Sequence, residues 1–352
     1  MRNISVMAFA ALSNLTSTTS LPHNSLAHHM ERLGSNASEV LILDGGTGEE
    51  LFLRGVPDDR EIWSAKAVVD GSYHQQLQDV HRSFVGAGSN AITTNSYGIT
   101  PGVGFDRDEI LKYVTLAGKL ARESVSGDES SPIIVFGSLG PLVESYRPDL
   151  IMDHLAGVHY YQLICGALSS NVDCFLAETM SSVVEAAQAI EAVGGMSANL
   201  RKPMMVSFTL NGKGAIRSGE GVTEAIPRLI DLADKYGVGL CGILFNCAEP
   251  ESMTKAFREI HCDDNLRRLL KGKDIKMGAY ANRLTPIPEG WSMAESEEAQ
   301  VMRDDLTPQK YFEKFVAVWV RDLGVQMVGG CCGITPEHIA YLHSNLNQDK
   351  RA

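Results

Sequence analysis

From residue 40 onward, short apolar runs alternate with longer stretches of helical character. Eight of the apolar runs read as strands: 41–45, 91–96, 133–138, 174–179, 204–209, 242–247, 276–281 and 325–331. Between and after them lie helical candidates near 70–87, 107–125, 153–171, 181–194, 222–236, 251–260, 308–323 and 336–346. Thr307-Pro308 and Thr335-Pro336 each place a good N-cap residue before a proline at the first helical position. Strand and helix in strict alternation mark parallel βαβ units. Eight units spread this evenly predict an α/β fold, a closed (β/α)8 TIM barrel rather than an open doubly wound sheet. The barrel should occupy 40–347 as one domain, with 1–39 a disordered tail or targeting presequence and 348–352 a C-terminal tail.

In such barrels the chemistry sits at the C-terminal ends of the strands. The polar residues of this chain collect there: Asp44, then Thr93 to Ser96, Glu178, Asn246 with Cys247, Asn282, and Cys331 with Cys332. Barrel closure brings the ends of strands 6 and 8 to one rim, although they are not sequential.

Composition narrows the partners. The chain has 352 residues and a formal net charge of -12, with no long basic run, so nucleic acid and anionic membranes are unsuitable partners. No apolar stretch reaches the roughly 18 residues of a membrane span. The cysteine count of 7 is odd and the cysteines are scattered, which fits a reducing compartment. A cytoplasmic location is expected, or an organelle if 1–39 is a presequence. Ile4 to Leu12 behind Arg2 resembles a weak signal core, and Asn3, Asn14 and Asn36 head glycosylation sequons. Secretion is nevertheless disfavoured, since it would expose the thiols to oxidation.

The run Val328-Gly329-Gly330-Cys331-Cys332-Gly333 carries the candidate chemistry. Adjacent cysteines in a regular strand point to opposite faces, so they grip one object only if the backbone bends. The flanking glycines permit the bend. Adjacent cysteines make a poor disulfide, and thiolate suits Zn²⁺, so the pair reads as two ligands with Cys247 the third. Three sulfurs leave one tetrahedral position open, the layout of a catalytic zinc. Packing is the competing reading, because free cysteine is a common core residue. Glycine on both sides argues against it. Cys241 should lie roughly 20 Å from Cys247, at the other end of strand 6. Cys165, Cys174 and Cys262 read as structural. His74, His81, His154 and His159 read as surface or satisfied, partly buried residues of the helical coat.

Asp44-Gly45-Gly46-Thr47-Gly48-Glu49-Glu50-Leu51, Thr94-Asn95-Ser96-Tyr97, Ala177-Glu178-Thr179, Phe245-Asn246-Cys247 and Gly329 to Gly333 together resemble the signatures of the homocysteine S-methyltransferase family. The resemblance spans about residues 40 to 345. It implies a zinc held by Cys247, Cys331 and Cys332, with the thiol of L-homocysteine taking the open position and methionine as product. Bound Zn²⁺ lowers a thiol's pKa, and the thiolate is the nucleophile. By the same resemblance Glu178 receives the substrate ammonium, Asp44 and the Gly45 backbone hold the amino-acid end, and Thr94 sits beside it. Asn246 orients Cys247 or the resting ligand of the zinc.

The methyl donor should be an onium cation, stabilised by aromatic faces. Trp63 resembles the family tryptophan near the donor, and Tyr97, Tyr280 and Trp291 are further candidates. Betaine-using members carry tyrosines where this chain has Gly98 and Thr179, so a sulfonium donor is expected, S-methylmethionine ahead of S-adenosylmethionine. The 283–304 segment reads as a lid or surface insertion. Other classes remain open: a zinc hydrolase, for which histidine ligands are missing at the strand ends, and a non-catalytic zinc- or thiol-binding barrel. A monomer or weak homo-oligomer is expected.

Overall fold

The computed structural model describes residues 40–126, 133–288, 290–291 and 301–348. The segment 1–39 and the centre of 283–304 lie outside the described residues, as does 348–352 apart from its first residue. The strands are β1 (Leu41–Ile42), β2 (Ala91–Thr93), β3 (Ile134–Leu139), β4 (Cys174–Met180), β5 (Met204–Phe208), β6 (Leu240–Asn246), β7 (Lys276–Ala281) and β8 (Met327–Gly330). They form an 8-stranded sheet in the order β1-β8-β7-β6-β5-β4-β3-β2, with every pair parallel. Helices cover its outside, and the architecture is the expected (β/α)8 barrel. No helix among the described residues is long and apolar enough to cross a membrane.

The closing seam, between β1 and β2, is made largely by side chains. Asn90 donates its N–H to Ile42 O at 2.7 Å, and its side-chain oxygen accepts the Ile42 N–H at 3.1 Å. One turn higher, the Asp44 carboxylate accepts the Thr93 N–H at 2.8 Å. Two side chains thus stand where strand carbonyls would, and β1, paired with β8 only at Leu41 and Ile42, is shorter than the 41–45 the apolar run suggested.

Strand periodicity divides the core into two. Leu41, Ile134, Phe136, Cys174, Leu176, Met205, Leu244 and Met327 fill the barrel interior. Their neighbours Val135, Phe175, Val206, Ile243, Phe245 and Val328 pack outward against the helices. Two residues further along the same inward rows come Ser138, Glu178, Ser207 and Asn246. An apolar plug is therefore capped by a polar layer, and the site stands on that layer.

The outer helices are α1 (Thr47–Leu53), α2 (Lys66–Val69), α3 (His74–Gly86), α4 (Arg107–Ser124), α5 (His154–Leu168), α6 (Val183–Gly194), α7 (Val222–Tyr236), α8 (Pro250–Cys262), α9 (Asp264–Gly272), α10 (Pro308–Tyr311), α11 (Ala317–Arg321) and α12 (Pro336–Gln348). A π-turn, Phe312–Val316, joins α10 to α11 within the span expected as one helix. Thr307 caps α10 by accepting the Lys310 N–H. α1, α2 and α9 were not anticipated. His81 corrects its expectation: its ring is fully buried on α3, and neither nitrogen is bonded among the described residues. Burial pushes it down to about 4, so it packs as a neutral ring.

Candidate active site

A cavity of about 340 Å³ opens at the C-terminal ends of the strands. Among the described residues, five non-glycine positions have positive φ: Trp63, Tyr146, Thr179, Cys247 and Asp274. All but Asp274 line this cavity. Left-handed backbone is costly for such residues and clusters where a side chain must be re-aimed. Cys247 shows the effect. Its place two residues past the outward-facing Phe245 would point it at the helices, but its φ of 50° turns its sulfur to the rim. Gly333, with φ of 77°, does the same for the other strand end, where Cys331 O accepts the Ile334 N–H at 3.0 Å. Gly330 leaves room for this turn, since a Cβ there would stand 2.1 Å from Ile334 Cγ2.

The bends bring three sulfurs together. Cys247 Sγ lies 2.9 Å from Cys331 Sγ and 4.0 Å from Cys332 Sγ, and Cys331 and Cys332 are 3.9 Å apart. Tetrahedral bonds of about 2.3 Å place two sulfurs about 3.8 Å apart, so two of the three separations suit Zn²⁺ and the third is tighter. Hydrogen bonds from the Cys331 and Cys332 thiols pull Cys247 well below the usual thiol range. The same contacts push Cys331 and Cys332 up, so one thiolate is shared among three sulfurs. A soft, partly ionised, closely spaced donor set of this kind fits a thiophilic cation, and the cluster can hold a metal ion.

Two carboxylates stand beside it. Glu178 accepts hydrogen bonds from the Ser138 hydroxyl and, at 3.1 Å, from the Tyr280 hydroxyl. Burial raises it to about 7, against the pull of the Ser138 bond. Asp44 is likewise raised to about 7, first by burial, while its bond from the Thr93 N–H opposes the shift. Asp44 therefore closes the barrel seam and lines the cavity at once. Gly45 also lines the cavity, and it lets the chain pass Ile334 O, which a Cβ would meet at 2.3 Å. Thr94 Oγ1 bonds Ser96 Oγ at 2.8 Å and accepts the Ser138 N–H at 3.0 Å.

Asn246 is placed otherwise than expected. It is fully buried below the cavity floor and is not among the residues lining it. Its oxygen accepts from Thr179 N–H at 2.9 Å and Ser207 Oγ at 2.7 Å, and its amide donates to Thr179 Oγ1 at 2.8 Å. It thereby fixes the left-handed Thr179, the last residue but one of β4. Cys241 sits at the opposite end of β6, 3.9 Å from Cys174.

Aromatic rings form the remaining wall. Trp63 meets Phe52 and Tyr97 edge-on, each at 6.4 Å between centroids. Tyr146 meets Trp291 at 5.7 Å, and Tyr280 also lines the cavity. Among the lining residues that escaped the sequence reading are Phe52, Tyr146, whose hydroxyl faces the Cys247 sulfur, and Glu49 on α1. Glu49 lies inside the quoted Asp44–Leu51 stretch, so a signal existed. Tyr146 sits in an aperiodic loop that offered none. The 283–304 segment begins and ends in an antiparallel bridge between Leu284 and Met302, both of which line the cavity.

Comparison with known proteins agrees with this geometry. The sequence profile of the family described as Homocysteine S-methyltransferase matches residues 41–346. Homocysteine S-methyltransferase 1 of Brassica oleracea var. italica is 24% identical over 344 residues, covering 91% of this chain and 97% of the relative. Homocysteine S-methyltransferase of Escherichia coli is 26% identical over 327 residues, covering 86% and 94%. Methionine synthase of Mycobacterium tuberculosis is 25% identical over 331 residues, but only 25% of that longer chain is matched. Among solved structures, the metallated form of the Escherichia coli homocysteine methyltransferase MmuM shares the fold, with a TM-score of 0.67 at 22% identity, covering 90% of this chain and 98% of that one. With its barrel matched almost end to end, the chain belongs to the homocysteine S-methyltransferase family.

Proposed function

We propose that the protein transfers a methyl group from a sulfonium donor, foremost S-methylmethionine, to the sulfur of L-homocysteine, forming methionine. One observation carries the reading: three clustered thiols and the buried carboxylate of Glu178 face a single cavity. Such a cavity suits a small amino acid that ends in a thiol. Cys247, Cys331 and Cys332 would hold Zn²⁺, which when bound lowers the pKa of a thiol in its open position. Glu178 receives the substrate ammonium, with its carboxylate held in place by Ser138 and Tyr280. Asp44, fixed by Thr93, adds negative charge at the same end, and Thr94 adds a hydroxyl.

The transfer is a single in-line displacement. The thiol gives its proton to solvent, and the freed electron pair on sulfur forms a bond to the methyl carbon. The donor's carbon–sulfur bond breaks, and its pair stays on the donor sulfur as a neutral thioether. With S-methylmethionine both products are methionine. The protein's part is to align the two sulfurs and to offer the onium group aromatic faces, those of Trp63, Tyr97 and Tyr146. Gly98 and Thr179 put no ring where betaine-using relatives place one, which favours a sulfonium.

The test is methionine formation by zinc-loaded, reduced protein given homocysteine and each donor separately, beside Cys332→Ala. Turnover with S-methylmethionine that vanishes in the variant is the expected result. Turnover with betaine or S-adenosylmethionine alone would overturn the donor and leave the reaction standing. Bound zinc without turnover from any donor would replace the reading with a thiol-binding barrel.

A further inference from the structure

Glu49 is partly buried at the third position of α1, and its Oε2 is the only buried carboxylate oxygen among the described residues that accepts no hydrogen bond. It lies against the turn that carries the cysteine pair. A Cβ built on Gly46 would stand 3.0 Å from Glu49 Oε2, 2.8 Å from Cys331 O and 3.1 Å from Gly333 N. The groups that act on the carboxylate most are its own N–H, the Gly333 N–H, and the Cys247 and Cys332 sulfurs. None of them is a cation.

A buried carboxylate oxygen that accepts no hydrogen bond, set beside a cluster that holds a thiolate, is unfavourable unless a cation satisfies it. Among the described residues no cationic side chain bonds that oxygen, and carboxylate oxygen is an ordinary ligand of Zn²⁺. We propose that Glu49 supplies a fourth, displaceable ligand to the metal held by Cys247, Cys331 and Cys332, filling the open position until a thiol substrate takes it. The inference rests on the reading of those thiols as the zinc site. Among the described residues only the three sulfurs form the tight cluster, with ligand atoms within 4.8 Å of one another, so Glu49 would reach the metal by rotation of its side chain. A ligand that must rotate in can also rotate out. The exchange replaces one anionic ligand by another, so a substrate thiolate enters without changing the charge of the ligand set.

The experiment uses the full chain with Co²⁺ or Zn²⁺, comparing wild type, Glu49→Ala and Glu49→Gln, each with and without homocysteine. Without homocysteine, both variants are expected to bind Zn²⁺ about 10- to 100-fold more weakly in chelator competition. Their Co²⁺ absorption bands should move as well. With saturating homocysteine the three spectra should coincide, which also reports that the variants are folded. Unchanged affinity and unchanged bands in both variants would overturn the proposal, since solvent would then fill the open position. Failure of the reduced wild type to hold one equivalent of metal would instead overturn the zinc reading beneath it.

Discussion

Cys174 and Cys241 approach to 3.9 Å at the N-terminal ends of β4 and β6, almost the 4.0 Å that separates Cys247 from Cys332 at the opposite rim. The surroundings differ completely. The lower pair lies among Ile134, Leu176 and Met205, with Cys241 at a shift in the β5–β6 register, and each thiol donates to a strand carbonyl, Cys174 to Phe175 and Cys241 to Met204. Burial pushes Cys174 far above the usual thiol range, so it stays protonated and inert. At the upper rim a third sulfur is present, the backbone is bent at Cys247 and Gly333, and one sulfur is held ionised. Proximity of sulfurs is common to both ends. Among the described residues, a third sulfur and a stabilised thiolate belong to the upper end alone, and that end opens into the cavity.

The largest effect should come from breaking this contrast directly. Cys331→Ala is expected to weaken zinc binding by at least about 100-fold, measured by metal content after dialysis and by chelator competition. Cys174→Ala, at the other end, should keep its full metal content and turnover and lose only about 1 kcal/mol of stability, the scale of deleting one buried heavy atom. Equal loss of metal from both variants would mean that the upper cluster is not special.

A smaller effect should come from Glu178, which tests whether the upper rim serves the amino-acid end of a substrate. A charge-assisted hydrogen bond contributes about 1.5–3 kcal/mol, so Glu178→Gln should raise KM for homocysteine about 10- to 150-fold while metal content stays constant. Glu178 sits near 7 in the free protein, so below that pH it is protonated and cannot receive the ammonium as a carboxylate. KM for homocysteine should therefore rise as pH falls below 7, and the variant should show a flatter profile. The sign for stability is the reverse. A carboxyl whose folded pKa is raised binds its proton more tightly in the folded state, so the ligand-free fold loses stability as pH climbs from about 4.5 to 7. A KM that improves on acidification would remove Glu178 from the ammonium site.

The same contrast shows what the sequence could tell. Both ends of the barrel follow from strand length and alternation, and the meeting of Cys247 with the pair follows from β6 and β8 ending at one rim. Positive φ at Trp63, Tyr146, Thr179 and Cys247 left no mark, because no glycine stands at those positions. By simple alternation Asn246 points into the barrel and Cys247 away from it, yet the bend turns the Cys247 sulfur to the rim while Asn246 supports Thr179 from below. Glu49 was hidden for another reason. Its helix has only 7 residues behind a glycine-rich loop, too few to show a period. The role of Asp44 in the β1–β2 seam depends on which strands fail to pair, which only the closed barrel reveals.

The smallest effect should come from Cys241→Ser, and it isolates the lower pair most cleanly. Cys241 is only partly buried, and its thiol is bonded to Met204 O at 3.4 Å. A serine hydroxyl is smaller than the thiol and can donate to the same carbonyl, so the polar contact survives the exchange. Little packing is lost at a half-open position at the bottom of the barrel, and no ligand of the upper rim is touched. The stability change should therefore stay within about 0.5 kcal/mol by denaturant titration. Zinc affinity and the KM for homocysteine should equal those of the wild type. Any loss of metal in Cys241→Ser would show that the two ends communicate through β6, which carries both Cys241 and, at its far end, the bend at Cys247.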